Sequence, residues 1–182
     1  MASKRIGAAS GVQIKRFRVK RDRAIVREFL NGVTAMIESI FHVNVNVTNF
    51  ERSIEFYKLL GFKVILDLGE VGSKMLSEGL RMPDGRGRAV LMILGDNPRA
   101  TRLDLIEWKN PKTEGQAAHL WHAGICRIAL RTRTLVKDYE ELKAKGIEFW
   151  TEPKMVEVRD GRQEGFVCCS DPDGTVIELI QV

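Results

Sequence analysis

The sequence predicts an α+β fold made of two tandem copies of one β-α-β-β-β unit, and three observations carry that prediction. The stretch His42–Gly61 returns as Arg127–Gly146, 85 residues later. A closing segment, Leu103-Asp-Leu-Ile-Glu107, returns as Ile177-Glu-Leu-Ile-Gln181, now 74 residues later. Within each copy apolar residues first alternate as in a strand, then recur at helical spacing. Val43, Val45 and Val47 match Ile128, Leu130 and Thr132, Phe50 matches Leu135, Tyr57 matches Leu142, and Gly61 matches Gly146. The offset shrinks because the first copy carries a longer middle. Two copies of one unit imply a pseudo-symmetric domain, with ligand binding expected where the copies meet.

Each element follows in order. Ile40–Val47 alternates apolar and polar, as a half-buried strand does. Asn49 is a good N-cap for a helix over Glu51–Leu60, and Gly61 closes it. Phe62–Asp67 reads as a strand. Residues 68–87, rich in Gly, Ser and charge, read as one long connection that ends in Pro83-Asp-Gly-Arg-Gly87. Arg88–Leu94 and Arg102–Trp108 are the next strands. The second copy gives strands over 124–132, 147–150, 163–170 and 175–181, a helix over 135–145, and a tight turn at Asp171-Pro-Asp-Gly174. The organisation expected is an arm over 1–38, a first module over 39–110, a linker over 111–123 and a second module over 124–182.

Composition narrows the setting. The chain has 182 residues, 44% of them hydrophobic, enough for one packed domain or two small fused modules. No apolar run approaches the ~20 residues of a membrane span, so no membrane partner is expected. Cys126, Cys168 and Cys169 form no paired framework, which fits a reducing cytoplasm. Cys168 and Cys169 are strand neighbours that point to opposite faces and read as small apolar residues. The net charge of +5 is uneven: residues 1–35 hold nine Lys/Arg and two Asp/Glu, while the rest holds 20 basic and 22 acidic residues. The basic arm reads as a solvated, flexible tail. It lacks the interleaved aromatics of a single-strand binder, so nucleic acid is not the expected partner. Met36 stands four residues before the first strand and offers an alternative natural start.

The strand faces then locate polar positions. His42, Asn44 and Asn46 share one face of the first strand, and the valines take the other. Arg127, Ala129 and Arg131 match the His/Asn row. In the closing strands, Asp104, Ile106 and Trp108 oppose Leu103 and Leu105, and Glu178 opposes Ile177 and Leu179. His42, Asp104, Arg127 and Glu178 therefore occupy four pseudo-equivalent positions. Burying so many polar groups is costly unless they bind each other, a metal, water or a ligand.

The segments His42-Val-Asn-Val-Asn-Val, Ser53-Ile-Glu-Phe-Tyr, Leu60-Gly-Phe62 and Asp171-Pro-Asp-Gly-Thr-Val-Ile-Glu178-Leu resemble the vicinal-oxygen-chelate superfamily of glyoxalases, extradiol dioxygenases and bleomycin-resistance proteins. The resemblance covers residues 40–182. It implies a cupped mixed sheet around a central cavity, a homodimer, and, in metalloenzyme members, a divalent ion held from the first and last strands of the modules. Carried onto this chain, the ligands are His42, Asp104 and Glu178, and the ion is Fe, Mn, Zn or Ni. The fourth ligand position, usually His, is Arg127, which stays protonated and has no lone pair to donate. His122, in the preceding loop, is a candidate substitute.

Two readings stay open. In the first, the chain is a metal-assisted isomerase, lyase or epimerase acting on an oxygen-bearing substrate, with Glu178 as catalytic base and Arg127, Asn44, Asn46, Trp108 and Arg131 binding substrate. A ring-cleaving dioxygenase fits less well, since it uses two His and one carboxylate on iron. In the second, Arg127 replaces the metal, and the protein is a metal-free binder of a small antibiotic-type molecule. Trp108, Trp121 and Trp150 then offer stacking surfaces, though core or interface packing is the better explanation of any one of them.

Overall fold

The computed structural model describes residues 37–159 and 161–182, and the fold below spans Ser39–Val182. The basic-arm expectation falls outside the described residues. The first module runs β1 (His42–Asn46), α1 (Phe50–Leu59), β2 (Phe62–Val71), α2 (Lys74–Leu80), β3 (Arg86–Leu94) and β4 (Arg102–Asn110). The second runs β5 (Arg127–Thr132), α3 (Leu135–Ala144), β6 (Lys154–Glu157), β7 (Gln163–Ser170) and β8 (Val176–Gln181). The strands form two four-stranded mixed sheets, ordered β1-β4-β3-β2 and β5-β8-β7-β6. In each, the first strand lies parallel to the last, and the other pairings are antiparallel. The α+β class and the tandem modules expected from the sequence are the architecture observed.

Local chemistry explains the helices. The Asn49 side chain accepts from the Arg52 amide at 3.0 Å and caps α1. Gly61, at φ 95°, takes the left-handed conformation that ends α1 and turns the chain into β2. Thr134 precedes α3 without a capping bond of its own. A side chain from the closing strand supplies the acceptor instead: Gln181 takes the Leu135 amide at 2.8 Å. The first module does the same, with Glu107 accepting from the Phe50 amide at 3.1 Å. These contacts are the physical content of the closing-strand echo.

Two expectations are corrected. The 68–87 connection is not all loop: β2 continues to Val71 through two register irregularities, and α2 folds inside it. Ser73 caps α2 by accepting from the Leu76 amide at 3.0 Å, a signal masked by the surrounding glycines and charges. Residues 147–150 do not form a ladder strand. Ile147 is buried in the core and Phe149 makes one isolated bridge to Cys169; the edge strand β6 forms later, at Lys154–Glu157, against β7.

The core is shared between the modules. Val45, Val47, Phe50, Tyr57, Met92, Leu103 and Leu105 of the first pack in one cluster with Ile147, Cys169 and Ile177 of the second. A smaller cluster, Leu135, Tyr139, Val167 and Leu179, belongs to the second module alone. Polar contacts reinforce the junction. The Asp171-Pro-Asp-Gly turn of the second module reaches α1 of the first. Tyr57 donates its hydroxyl to Asp171 at 2.9 Å, and Asp173 accepts from the Thr48 amide at 3.0 Å, from Arg52 at 2.8 Å and from the Thr48 hydroxyl. The motif therefore does more than turn the chain; it joins the modules.

Candidate functional site

The alternation read from the sequence places the polar row opposite the valines. Val45 and Val47 are buried, while His42, Asn44 and Asn46 lie on the other face of β1. Asn44 pairs in register with Asp104 on β4 and donates to its main-chain oxygen at 3.2 Å. His42 Nε2 stands 3.8 Å from Asp104 Oδ2. Asn46 accepts the Trp108 indole N–H at 3.0 Å, and Trp108 is itself buried. The first module thus gathers His42, Asn44 and Asp104 at one point, with Asn46 and Trp108 beside them.

Asp104 is the unusual member. It is only 7% exposed, and its Oδ1 is buried without any hydrogen-bond partner. Burial holds its carboxyl above the usual carboxylate range, against the opposing pull of His42 and Asn44. A buried acceptor left unmade costs about 1–3 kcal/mol, so a donor or a cation at this point would be stabilising.

The second module treats its equivalent acid differently. Arg127 Nε forms an ion pair with Glu178 Oε2 at 3.0 Å; Glu178 is buried and the Arg127 side chain is 48% exposed. A guanidinium thus faces the acid of the second module, whereas Asp104 Oδ1 in the first has no partner. Arg131 sits four residues on but is tied to the chain end, donating to the Val182 main-chain oxygen at 2.9 Å. Cys168 pairs in register with Glu178. Burial and the Glu178 charge push its thiol up, and Arg127 opposes them. The sequence assigned the cysteines to opposite faces, yet nothing in it singled out Cys168 as the residue beside Glu178. Cys169 is core, its thiol pushed up to about 12 by burial.

Between β1 and β5 lies a cavity of about 190 Å³, where Asn44, Asn46 and Arg127 meet Ala117, Cys126 and Thr175. Three of the expected substrate-binding residues share this space. The expected metal set is distributed differently. His42 and Asp104 meet in the first module, Glu178 is held by Arg127 in the second, and among the described residues no three His, Cys, Asp or Glu side chains gather as a ligand group. His122 lies elsewhere, its Nδ1 accepting the His119 amide at 3.3 Å.

Comparison with known proteins agrees with this architecture. The family model described as the Glyoxalase/Bleomycin resistance protein/Dioxygenase superfamily matches residues 39–179. No curated protein sequence matches the chain. Among solved structures, a glyoxalase family protein from Bacillus cereus superposes with a TM-score of 0.67 at 16% identity, over 82% of this chain and 98% of its own. An antibiotic-binding protein from a Streptomyces species gives 0.55 at 22%, over 80% and 97%. A glyoxalase I mutant from Zea mays gives 0.58 at 21%, over 79% of this chain but only 44% of its own, so this chain spans less than half of that enzyme. At these identities the likeness is one of fold. Among the described residues no helix is long and apolar enough to cross a membrane.

Proposed function

The chain belongs to the glyoxalase/bleomycin resistance protein/dioxygenase superfamily, and from that premise we propose that it binds a small oxygen-bearing organic molecule between β1 and β5. The cavity shared by Asn44, Asn46 and Arg127 is the observation that carries this reading. Arg127 engages Glu178 through Nε; its terminal N–H groups are the donors that suit a carboxylate or an enolate-like oxygen. Asn46 gives its carbonyl to Trp108 and keeps an amide donor for the ligand. Where the bound molecule is also turned over, in an isomerase, lyase or epimerase, this reading makes Glu178 the base, acting from beside Arg127, which lines the cavity.

A divalent ion, common in this superfamily, meets only part of its donor set in this chain. His42 and Asp104 Oδ1 suit a cation. Glu178 is engaged by a guanidinium that has no lone pair and would repel the ion. The set does not close around an ion, and the built-in cation Arg127 takes its place. One observation favours the other reading. The unpartnered Oδ1 beside His42 is where Fe, Mn, Zn or Ni would sit if Glu178 were released and Arg127 turned to the substrate.

We also propose a cytoplasmic homodimer. Val64, Ile65, Leu66 and Leu68 are all at least two-fifths exposed on β2, an edge strand, and a second copy would cover them. Multi-angle light scattering of a single, monomeric species would contradict this.

The binding reading is tested by calorimetric titration and thermal shift with small 2-oxo and 2-hydroxy carboxylates such as pyruvate and lactate, against neutral alcohols of similar size. At least one acid should bind, and binding should be lost in Arg127→Ala. Equal affinity in wild type and Arg127→Ala, or no binding by any acid, contradicts it.

A further inference from the structure

We propose that the linker and the Asp171-Pro-Asp-Gly turn line a second ligand site, adjoining the cavity between β1 and β5 at Ala117 and Ala118 but without its polar residues, which takes a planar, uncharged aromatic molecule against Trp121 and Trp150. The cavity there is about 570 Å³, within the roughly 300–1,000 Å³ typical of small-molecule pockets. Neither His42, Asp104, Arg127 nor Glu178 lines it.

Three of its lining residues are aromatic, His119, Trp121 and Trp150, and each has a partner. Trp121 is 79% exposed, an expensive position for so large an apolar surface. It does not hang free. The His119 ring stacks on it with centroids 4.7 Å apart and planes 3° apart, and His122 packs edge-on against His119 at 4.9 Å. The His119 amide bond to His122 Nδ1 ties this trio together at 3.3 Å. Trp150, half exposed, is held by two hydrogen bonds: its indole N–H donates to the Ser170 hydroxyl at 3.2 Å and its amide to the Cys168 carbonyl at 2.9 Å. Two partnered tryptophans that retain exposed surface along a cavity of this size offer stacking surfaces, which favour a flat ring over an alkyl body.

The charge around the site sets the ligand class. Asp173 lines the cavity, but Arg52 and Thr48 already satisfy its carboxylate. Pro172 and Ala117 add apolar wall. With the one carboxylate neutralised, the lining favours an uncharged ring system, with Ser170 as a polar anchor for a hydroxyl or amide.

The test uses the full chain and 2-naphthol as probe, with decahydro-2-naphthol as the non-aromatic control, read by calorimetry and ligand-observed NMR. Saturable 2-naphthol binding is expected, weakened at least about fivefold in Trp121→Ala and in Trp150→Ala and restored in part by Trp121→Phe. It should be unchanged in Arg127→Ala, which disables only the other cavity. Equal binding of the saturated control, insensitivity to both tryptophan substitutions, loss in Arg127→Ala, or no saturable binding by wild type would each overturn the proposal.

Discussion

The two modules share a plan and differ at the points that matter for binding. Both closing strands send a side chain back to accept the first helical N–H, Glu107 for Phe50 and Gln181 for Leu135. Both place an acid as the third residue of the closing strand. In the first module that acid is Asp104, buried with an unpartnered oxygen beside His42. In the second it is Glu178, matched by Arg127 at 3.0 Å. The cross-link is also one-sided: Asp171 and Asp173 of the second module hold Tyr57, Thr48 and Arg52 of the first. Duplication preserved the contacts that make each module fold. Divergence fell on the polar faces and on the junction, where ligand chemistry and docking are decided.

The shared core gives the largest expected effect. Ile177 belongs to the second module but packs in the cluster dominated by the first. Ile177→Ala should cost about 2–5 kcal/mol in urea denaturation, with one cooperative transition. Two separated transitions would show that the modules fold independently and break the comparison. Tyr57→Phe comes next. It leaves a buried Asp171 oxygen unpaired and should cost about 1–3 kcal/mol. No loss of stability would reduce the turn to a simple connection.

The cap pair sharpens the shared part of the plan. Glu107→Ala and Gln181→Ala should each cost about 0.5–2 kcal/mol, in similar amounts, if the two acceptors do the same work. A large inequality would end the equivalence.

Smaller still, and opposite in sign, is Asp104→Asn. The folded-state carboxyl of Asp104 is raised above its ordinary value, so the folded protein binds more protons than the unfolded chain between those two values. Its contribution to stability falls as pH rises through that window, and the full penalty stands above it. Asp104→Asn should therefore be more stable than wild type at neutral pH, by about 1 kcal/mol or less, with the gain vanishing toward acid. Denaturation midpoints at a series of pH values check this. A loss at neutral pH would mean that the charged carboxylate has a partner after all.

Much of this was legible because strands and helices write themselves in periodicity. The valine row, Asn49 as cap, Gly61 as stop and the His42/Asn44/Asn46 face all follow from spacing. Less legible was what depends on contacts distant in sequence. Ser73 and α2 lay hidden in a stretch that composition marks as loop. The strand expected at 147–150 forms instead at Lys154–Glu157, while Ile147 is buried in the core. The pairing of Arg127 with Glu178, the isolation of Asp104 Oδ1 and the position of Cys168 depend on register and rotamers, which spacing alone does not set. The grip of Asp173 on α1 crosses 121 residues between it and Arg52.

The central claim is that Arg127 takes the place of a metal ion in the second module. Metal content of untagged protein purified without chelator, before and after soaking in Fe²⁺, Mn²⁺, Zn²⁺ and Ni²⁺, tests it most directly, with Arg127→His measured in parallel. The account expects far less than one ion per chain in wild type under every condition, and a gain of metal in Arg127→His, which frees Glu178 and adds a lone pair. Near-stoichiometric metal in wild type, lost in His42→Ala, would contradict it and make Arg127 a substrate anchor beside a true metal centre.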